Sequence, residues 1–400
     1  MNPNLSLLQA YPFERLRQLF SSVKPNASYS PISLGIGEPR HATPALIKQA
    51  FSDAVLGSGL SAYPATAGEP ALRDAMAQWA QRRYGLNLNA TTQILPINGS
   101  REALFAFAQT IVSPKAGAEK PWVVCPNPFY QIYEGAALLS GGAPYFVHSD
   151  PKRNFAQDWY SVPESVWAQT QLLFVCSPGN PAGAVMPLQE WKKLFDLSDR
   201  FGFVIASDEC YSEIYFRDEA PLGGLEAATQ LGRHDFKNLV SFTSLSKRSN
   251  VPGMRSGFCA GDAALIKPFL LYRTYHGSAM SPVVQTASIA AWNDEAHVID
   301  NRRMYREKFT QVTPMMAKVM DVALPDAGFY LWAGIEGSDE DFARDLYAAY
   351  NVTVLPGSYL AREARGHNPG AHRIRMALVA HTDECIEAAT RIVQFVQSRH

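Results

Sequence analysis

Phe203-Val-Ile-Ala-Ser-Asp208-Glu-Cys-Tyr211 is a short apolar run that ends on a carboxylate. A run of this length, bounded by polar residues, suits a buried strand. Comparable runs lie at 122–125, 143–147, 172–176, 239–243 and 257–260, with helical patterns between them at 100–112, 131–139 and 188–201. Strands alternating with amphipathic helices predict an α/β architecture built on a mostly parallel sheet covered on both faces. Ligands in such a sheet gather at the carboxyl ends of its strands, which is where Asp208 belongs.

Outward from this core the texture changes. The first thirty residues mix Pro12, Pro25 and Pro31 with short apolar pieces, which suits an arm lying on another surface. Helical patterns follow from Thr43-Pro44 and at 69–84, the latter closed by Gly85. Beyond about residue 280 come a charged helical stretch at 295–319, a strand at 329–332, a helix at 339–350 and a strand at 351–355. A strand at 373–378 and a helix at 382–398 close the chain. The expected division is an arm at 1–30, a small α/β domain from 31–50 and 286–400, and a large domain at 51–285.

Composition narrows the functional classes. Hydrophobic residues make up 47% and charged residues 18%, normal for a soluble globular enzyme. A net charge of −1 gives no electrostatic reason to expect nucleic acid or an anionic membrane as partner. The five cysteines are scattered, without a C-x-x-C pair, and read as reduced thiols. Met-Asn-Pro-Asn-Leu-Ser lacks the pattern of a secretory signal, and no stretch reaches the ~18 apolar residues of a membrane span. A cytoplasmic protein without a metal centre is expected.

The chemistry centres on Lys247, in Ser244-Leu-Ser-Lys-Arg-Ser-Asn-Val-Pro-Gly-Met-Arg255. Most lysines are solvated surface charges. One in a Ser/Gly/Pro loop with an arginine eight residues on suits Schiff-base chemistry instead. Asp208 could hold a proton on a pyridine nitrogen, although an aspartate at a strand end is often only turn chemistry. Asn180, in Ser177-Pro-Gly-Asn180-Pro-Ala-Gly183, and Tyr211 could hold a phenolate oxygen. Gly99-Ser100-Arg101 opens a helix whose N-terminus suits a phosphate, helped by Ser244 and Arg255, with Tyr63 as a further donor. Tyr130 is the candidate for an aromatic face, whereas Phe129 and Tyr133 read as core. In Arg373-Ile-Arg375 two arginines share one side of a strand, and either suits a substrate carboxylate. Together these needs are those of pyridoxal 5'-phosphate (PLP).

In this order the motifs resemble the class I/II aminotransferases of the fold-type I PLP enzymes, from about residue 30 to the C-terminus. The resemblance implies a large domain with a mostly parallel seven-stranded sheet, a smaller C-terminal α/β domain, and a homodimer with shared active sites. It implies Lys247 as cofactor lysine and Asp208 as pyridinium partner. Asn180 and Tyr211 become phenolate partners, and Tyr130 the stacking ring. Gly99, Ser100, Arg101, Ser244 and Arg255 become the phosphate site. Tyr63 looks like the tyrosine lent across the dimer, and Arg375 rather than Arg373 matches the carboxylate-binding arginine. Gly37, in Leu34-Gly-Ile-Gly-Glu-Pro39, matches the segment that folds over the substrate. Ala182 departs from the threonine of many members.

Within the family, residues 4–16, 31–39, 129–135, 175–181 and 206–215 look like the proteobacterial type of succinyldiaminopimelate aminotransferase. That group's implied substrates are N-succinyl-LL-2,6-diaminopimelate and its keto partner, with the glutamate/2-oxoglutarate pair, in lysine biosynthesis. Rival readings are a transaminase of aspartate, alanine or an aromatic amino acid, and a PLP lyase of the same fold. A transcription regulator would need a basic DNA-binding module, and none fits before residue 30.

Overall fold

The computed structural model describes residues 1–115, 117 and 119–399. Its main sheet has eight strands, in the order Ile94–Ile97, Gly257–Gly261, Leu239–Ser244, Val204–Asp208, Thr170–Cys176, Trp122–Asn127, Ala143–Asp150 and Ala156–Gln157. The expected seven therefore need correcting to eight. The extra strand is the two-residue Ala156–Gln157, which pairs antiparallel with the end of Ala143–Asp150 and is too short to carry an apolar pattern. Gly257–Gly261 is also antiparallel to both its neighbours. The five strands between are parallel.

Alternation of side chains builds a core on each face. Leu172 and Phe174 point to one side, where Ser100–Ile111, Ile132–Leu139 and Ala263–His276 cover the sheet. Leu173 and Val175 point to the other, under Pro70–Tyr84, Leu188–Phe201 and Pro282–Asn293. A separate core lies beneath Tyr330–Gly334, Arg373–Ala377 and Leu355–Pro356, a three-stranded antiparallel sheet backed by Ala296–Met316, Asp339–Tyr350 and Thr382–Gln397. Cys210, Tyr211 and Ile214 pack into this second core. The two cores thus meet just beyond Asp208.

Ile47, Ala287 and Trp292 pack in the larger core. We therefore propose that the chain crosses between the two units near residues 42–44 and 294–295. The expected strand at 351–355 is two pieces, because Val352–Thr353 pairs with Ile32–Ser33 while Leu355–Pro356 pairs with Arg373–Ala377. The N-terminal segment contains a helix, Pro12–Phe20, started by Pro12 in its first turn. Its Leu16 is buried against Trp332, Leu355, Tyr359 and Leu360, a burial that contributes about 1.5–3 kcal/mol. Among the described residues no helix is long and apolar enough to cross a membrane.

Candidate active site

The carboxyl edge of the sheet gathers the chemistry. Asp208 ends its strand between Cys176 and Phe242 of the neighbouring strands. Leu239–Ser244 runs straight into the turn Leu245–Arg248 that carries Lys247. Trp122–Asn127 leads to Tyr130, and Arg373–Ala377 brings Arg375 from the smaller unit. Lys247, Asp208, Tyr211, Asn180, Tyr130, Ser100, Arg101, Arg255, Gly37 and Arg375 all line one cleft of about 460 Å3.

Asp208 is buried and held from behind. One carboxylate oxygen accepts the Tyr133 hydroxyl at 2.8 Å, and the other accepts the Cys210 backbone N–H at 3.3 Å. Burial and the nearby Asp208 push the Tyr133 phenol well up, so it remains a donor. Tyr133 also stacks on Phe174, with ring centroids 4.7 Å apart. Its core role, read from the sequence, is real, but its hydroxyl makes it part of the site as well. The spacing of Tyr130 and Tyr133, one helical turn apart, was the available signal.

Beside Asp208, along the same cleft, donors converge on a position suited to an anion. Gly99 has φ +86° and precedes the helix Ser100–Ile111, whose first N–H groups lack intrahelical acceptors. A Cβ at 99 would run into the Arg255 guanidinium. Arg255 reaches the Pro252 carbonyl at 2.9 Å and the Ser246 hydroxyl at 3.4 Å. Ser246 lines the cleft, but Ser244 does not. The Ser244 hydroxyl accepts the Ser246 N–H at 3.1 Å and donates to the Ser246 hydroxyl at 3.0 Å, so it caps the turn. We still propose Ser244 as an anion ligand, because its hydroxyl can turn its proton from Ser246 toward a bound phosphate while it caps the turn. Arg101 donates to the Tyr130 hydroxyl at 2.6 Å.

Arg375 is buried, donating to Asn180 Oδ1 at 3.1 Å and to the Gly35 carbonyl at 2.9 Å. Its guanidinium lies 4.3 Å from the centre of the Tyr330 ring. Arg373 instead turns to Asp321 at 3.5 Å and to the Phe155 ring, outside the cleft. Tyr330 was not anticipated from sequence. Its hydroxyl pairs with that of Tyr211 at 3.0 Å and occupies the space a Cβ at Gly37 would need. Glycine at 37 is thus a requirement of close approach. The Lys247 amine sits 5.6 Å from the Tyr211 ring centre. Tyr63 is fully exposed and does not line the cleft of its own chain.

Among the described residues, Lys247, Arg101, Arg255 and Arg375 have no carboxylate within 4 Å. Four unpaired cations facing one cleft suit anionic ligands. The groups present fit PLP: hydroxyls, a helix N-terminus and Arg255 as donors to the phosphate, the Asp208 carboxylate as acceptor for a ring N–H, and the Lys247 amine for the aldehyde. We propose that Arg375 grips a substrate carboxylate; its replacement by lysine should then raise KM for that substrate about 10–100-fold, because a two-pronged contact would be lost. Steady-state kinetics check this. An unchanged KM would remove Arg375 from substrate binding.

Residues 29–392 match the family model described as Aminotransferase class I and II. The LL-diaminopimelate aminotransferase of Aquifex aeolicus is 32% identical over 365 residues, 90% of each chain. An aminotransferase structure from Neisseria meningitidis superposes with a TM-score of 0.95 at 54% identity, covering 99% of this chain and 100% of that one. A probable N-succinyldiaminopimelate aminotransferase from Thermus thermophilus shares the fold, with a TM-score of 0.83, 24% identity, and coverage of 96% and 99%. The chain belongs to the class I and II aminotransferases, and its cofactor is pyridoxal 5'-phosphate.

Proposed function

We propose that this aminotransferase moves the amino group between N-succinyl-LL-2,6-diaminopimelate and 2-oxoglutarate, giving N-succinyl-2-amino-6-oxopimelate and glutamate. One observation carries the reading. Tyr11, Pro12 and Phe13 of the N-terminal segment, together with Ile36 to Pro39, line the same cleft as Lys247. These lie in the two stretches, 4–16 and 31–39, whose sequence resembles the succinyl-specific group. A second reading, LL-diaminopimelate itself, is favoured by the names of relatives such as the Aquifex enzyme.

The chemistry that PLP would supply when bound is an aldehyde to carry the amino group and an electron-poor ring to stabilise the deprotonated α-carbon. The chain supplies the rest. Arg375, held by Asn180 and the Gly35 carbonyl, grips the α-carboxylate and orients the Cα–H bond. Lys247 Nζ takes the α-proton and returns it at the neighbouring carbon. Asp208, braced by Tyr133, keeps a proton on the ring nitrogen. Asn180 and Tyr211 donate toward the ring oxygen, and Tyr130 provides an apolar face.

The test is kcat/KM for the succinylated and free diamino acids, with 2-oxoglutarate as acceptor. The succinylated donor should lead by about 10–100-fold, the cost of one lost hydrogen bond to a buried charged group. A lead for the free diamino acid selects the second reading. Preference for aspartate or an aromatic amino acid discards both. The five free cysteines fit a reducing cytoplasm, to which we assign the reaction.

We also propose a homodimer with shared sites. Phe51, Val55 and Leu56 form an open apolar face with Pro39, Pro252 and Gly253, which line the cleft too. Leu56, Leu60 and Tyr63 are 83%, 72% and 103% exposed, which a second copy would cover. Mixed and reassembled Lys247→Ala and Tyr63→Phe chains should recover part of the activity. Fully active monomer in sedimentation would refute the dimer.

A further inference from the structure

We propose that Asn301 and His41 are positioning residues for Lys247, linked with Lys308 in a hydrogen-bonded chain that fixes the backbone from which the lysine amine projects. The proposal rests on the reading of Lys247 as the cofactor lysine. His297, Asn301, Tyr305 and Lys308 recur at spacings of four, four and three along the helix Ala296–Met316, so they share one face. His297 Nε2 lies 2.8 Å from the Ser249 hydroxyl. The Asn301 amide donates to the Lys247 carbonyl at 3.1 Å and to the Arg248 carbonyl at 3.4 Å. Its oxygen faces Asn250 Nδ2 at 3.0 Å and His41 Nδ1 at 2.8 Å. The backbone that follows the Lys247 Cα, from its own carbonyl to Ser249, is therefore tied to one helix face.

The hydrogen-bond directions are fixed by chemistry. Turning the Asn301 amide over would set its oxygen against two carbonyls and its NH2 against the Asn250 NH2, so only one orientation satisfies all its neighbours. The Asn301 oxygen can only accept, so His41 must carry its proton on Nδ1. Nε2 is then an acceptor, and the Lys308 ammonium donates to it at 2.7 Å. Burial pushes His41 down to about 4 and Lys308 down to about 8, which keeps the imidazole neutral, as this chain requires.

The chain lies close in sequence to two further walls of the cleft. His41 stands four residues beyond Gly37 and two beyond Pro39, which lines the cleft. Lys308 also reaches the carbonyls of Leu378 at 3.4 Å and Val379 at 3.5 Å, just past Arg375. Lys308 is 1% exposed, yet among the described residues it has no carboxylate partner within 4 Å. A buried, unpaired lysine costs stability that an apolar residue of the same size would not. Its geometry assigns it a different use, which is to hold the Gly37 segment, the Arg375 strand and the Lys247 turn in a common register. A misplacement of about 1 Å at a reacting group costs about 100-fold in rate.

Two variants of His41 separate this role from mere packing. Asparagine places an N–H where Nδ1–H stood and keeps the arm to Asn301. Glutamine reaches toward the place of Nε2 and leaves the Asn301 oxygen without that donor. His41→Asn should retain the greater part of kcat, whereas His41→Gln and Asn301→Ala should lose about 10–100-fold in kcat with KM for the amino donor within about twofold. The second readout is the rate of reductive methylation of Lys247 in the cofactor-free protein, measured by peptide mass spectrometry against the other lysines. It should change at least about threefold in His41→Gln and Asn301→Ala, as expected for a displaced amine, and little in His41→Asn. Equal kcat in the two His41 variants, or unchanged Lys247 labelling in His41→Gln, would overturn the proposal. If Asn301→Ala does not fold, the His41 pair decides alone. Failure of the underlying reading would look different, since the cofactor would then be found on another lysine.

Discussion

Replacing Lys247 by alanine should lower kcat by about 10⁴-fold or more while leaving the fold intact. The amine is proposed to serve both as the point of attachment and as the group that moves the α-proton, so one substitution removes two functions. No carboxylate lies within 4 Å of it among the described residues, so its removal leaves no orphaned buried charge to destabilise the chain. Circular dichroism and melting temperature should match the parent, and the visible absorbance of the lysine-bound cofactor should be lost. Full turnover by Lys247→Ala without added amine would contradict the assignment.

Asp208→Asn should slow α-proton removal by about 10²–10⁴-fold, the range for loss of a positioned charge at the reacting centre. The change is nearly isosteric. The asparagine oxygen can still accept the Tyr133 hydroxyl, so packing against the stacked Tyr133–Phe174 pair survives. What is lost is the negative charge proposed to keep the ring nitrogen protonated. Cofactor binding should weaken but persist, because the proposed phosphate end, with Ser100, Ser244 and Arg255, is untouched. A stopped-flow half-reaction with amino donor alone measures the step. A rate near that of the parent would remove Asp208 from the proposed role.

Much of this site could be read from the sequence because of how a parallel sheet orders its residues. Asp208 follows directly from an apolar run, and Lys247 lies three residues beyond the strand Leu239–Ser244. In such a sheet, position just beyond a strand is also position in space, at one shared edge. Strand direction was less accessible. Gly257–Gly261 and Ala156–Gln157 run antiparallel, and a period-two or continuous apolar pattern is the same in either direction.

Residues whose role depends on a tertiary approach were the ones missed. Tyr330 reads as a core aromatic, and only the packing of its strand against Gly37 and Tyr211 brings its hydroxyl into the cleft. Ser244 and Ser246 are equivalent in sequence terms. The turn brings Ser246 to the cleft as well, while Ser244 caps Leu245–Arg248 behind it. The His41–Asn301–Lys308 chain joins positions more than 250 residues apart, beyond the reach of any local pattern.

The most direct test of the central claim is to locate the cofactor on the chain. The holoenzyme is treated with borohydride, digested, and the peptide carrying the reduced pyridoxyl phosphate is sequenced by mass spectrometry. The modification should fall on Lys247 at close to one per chain, and it should disappear when excess amino donor is added before reduction, since the donor displaces the lysine. Label on another lysine, or label on Lys247 that no amino donor can displace, would contradict the account.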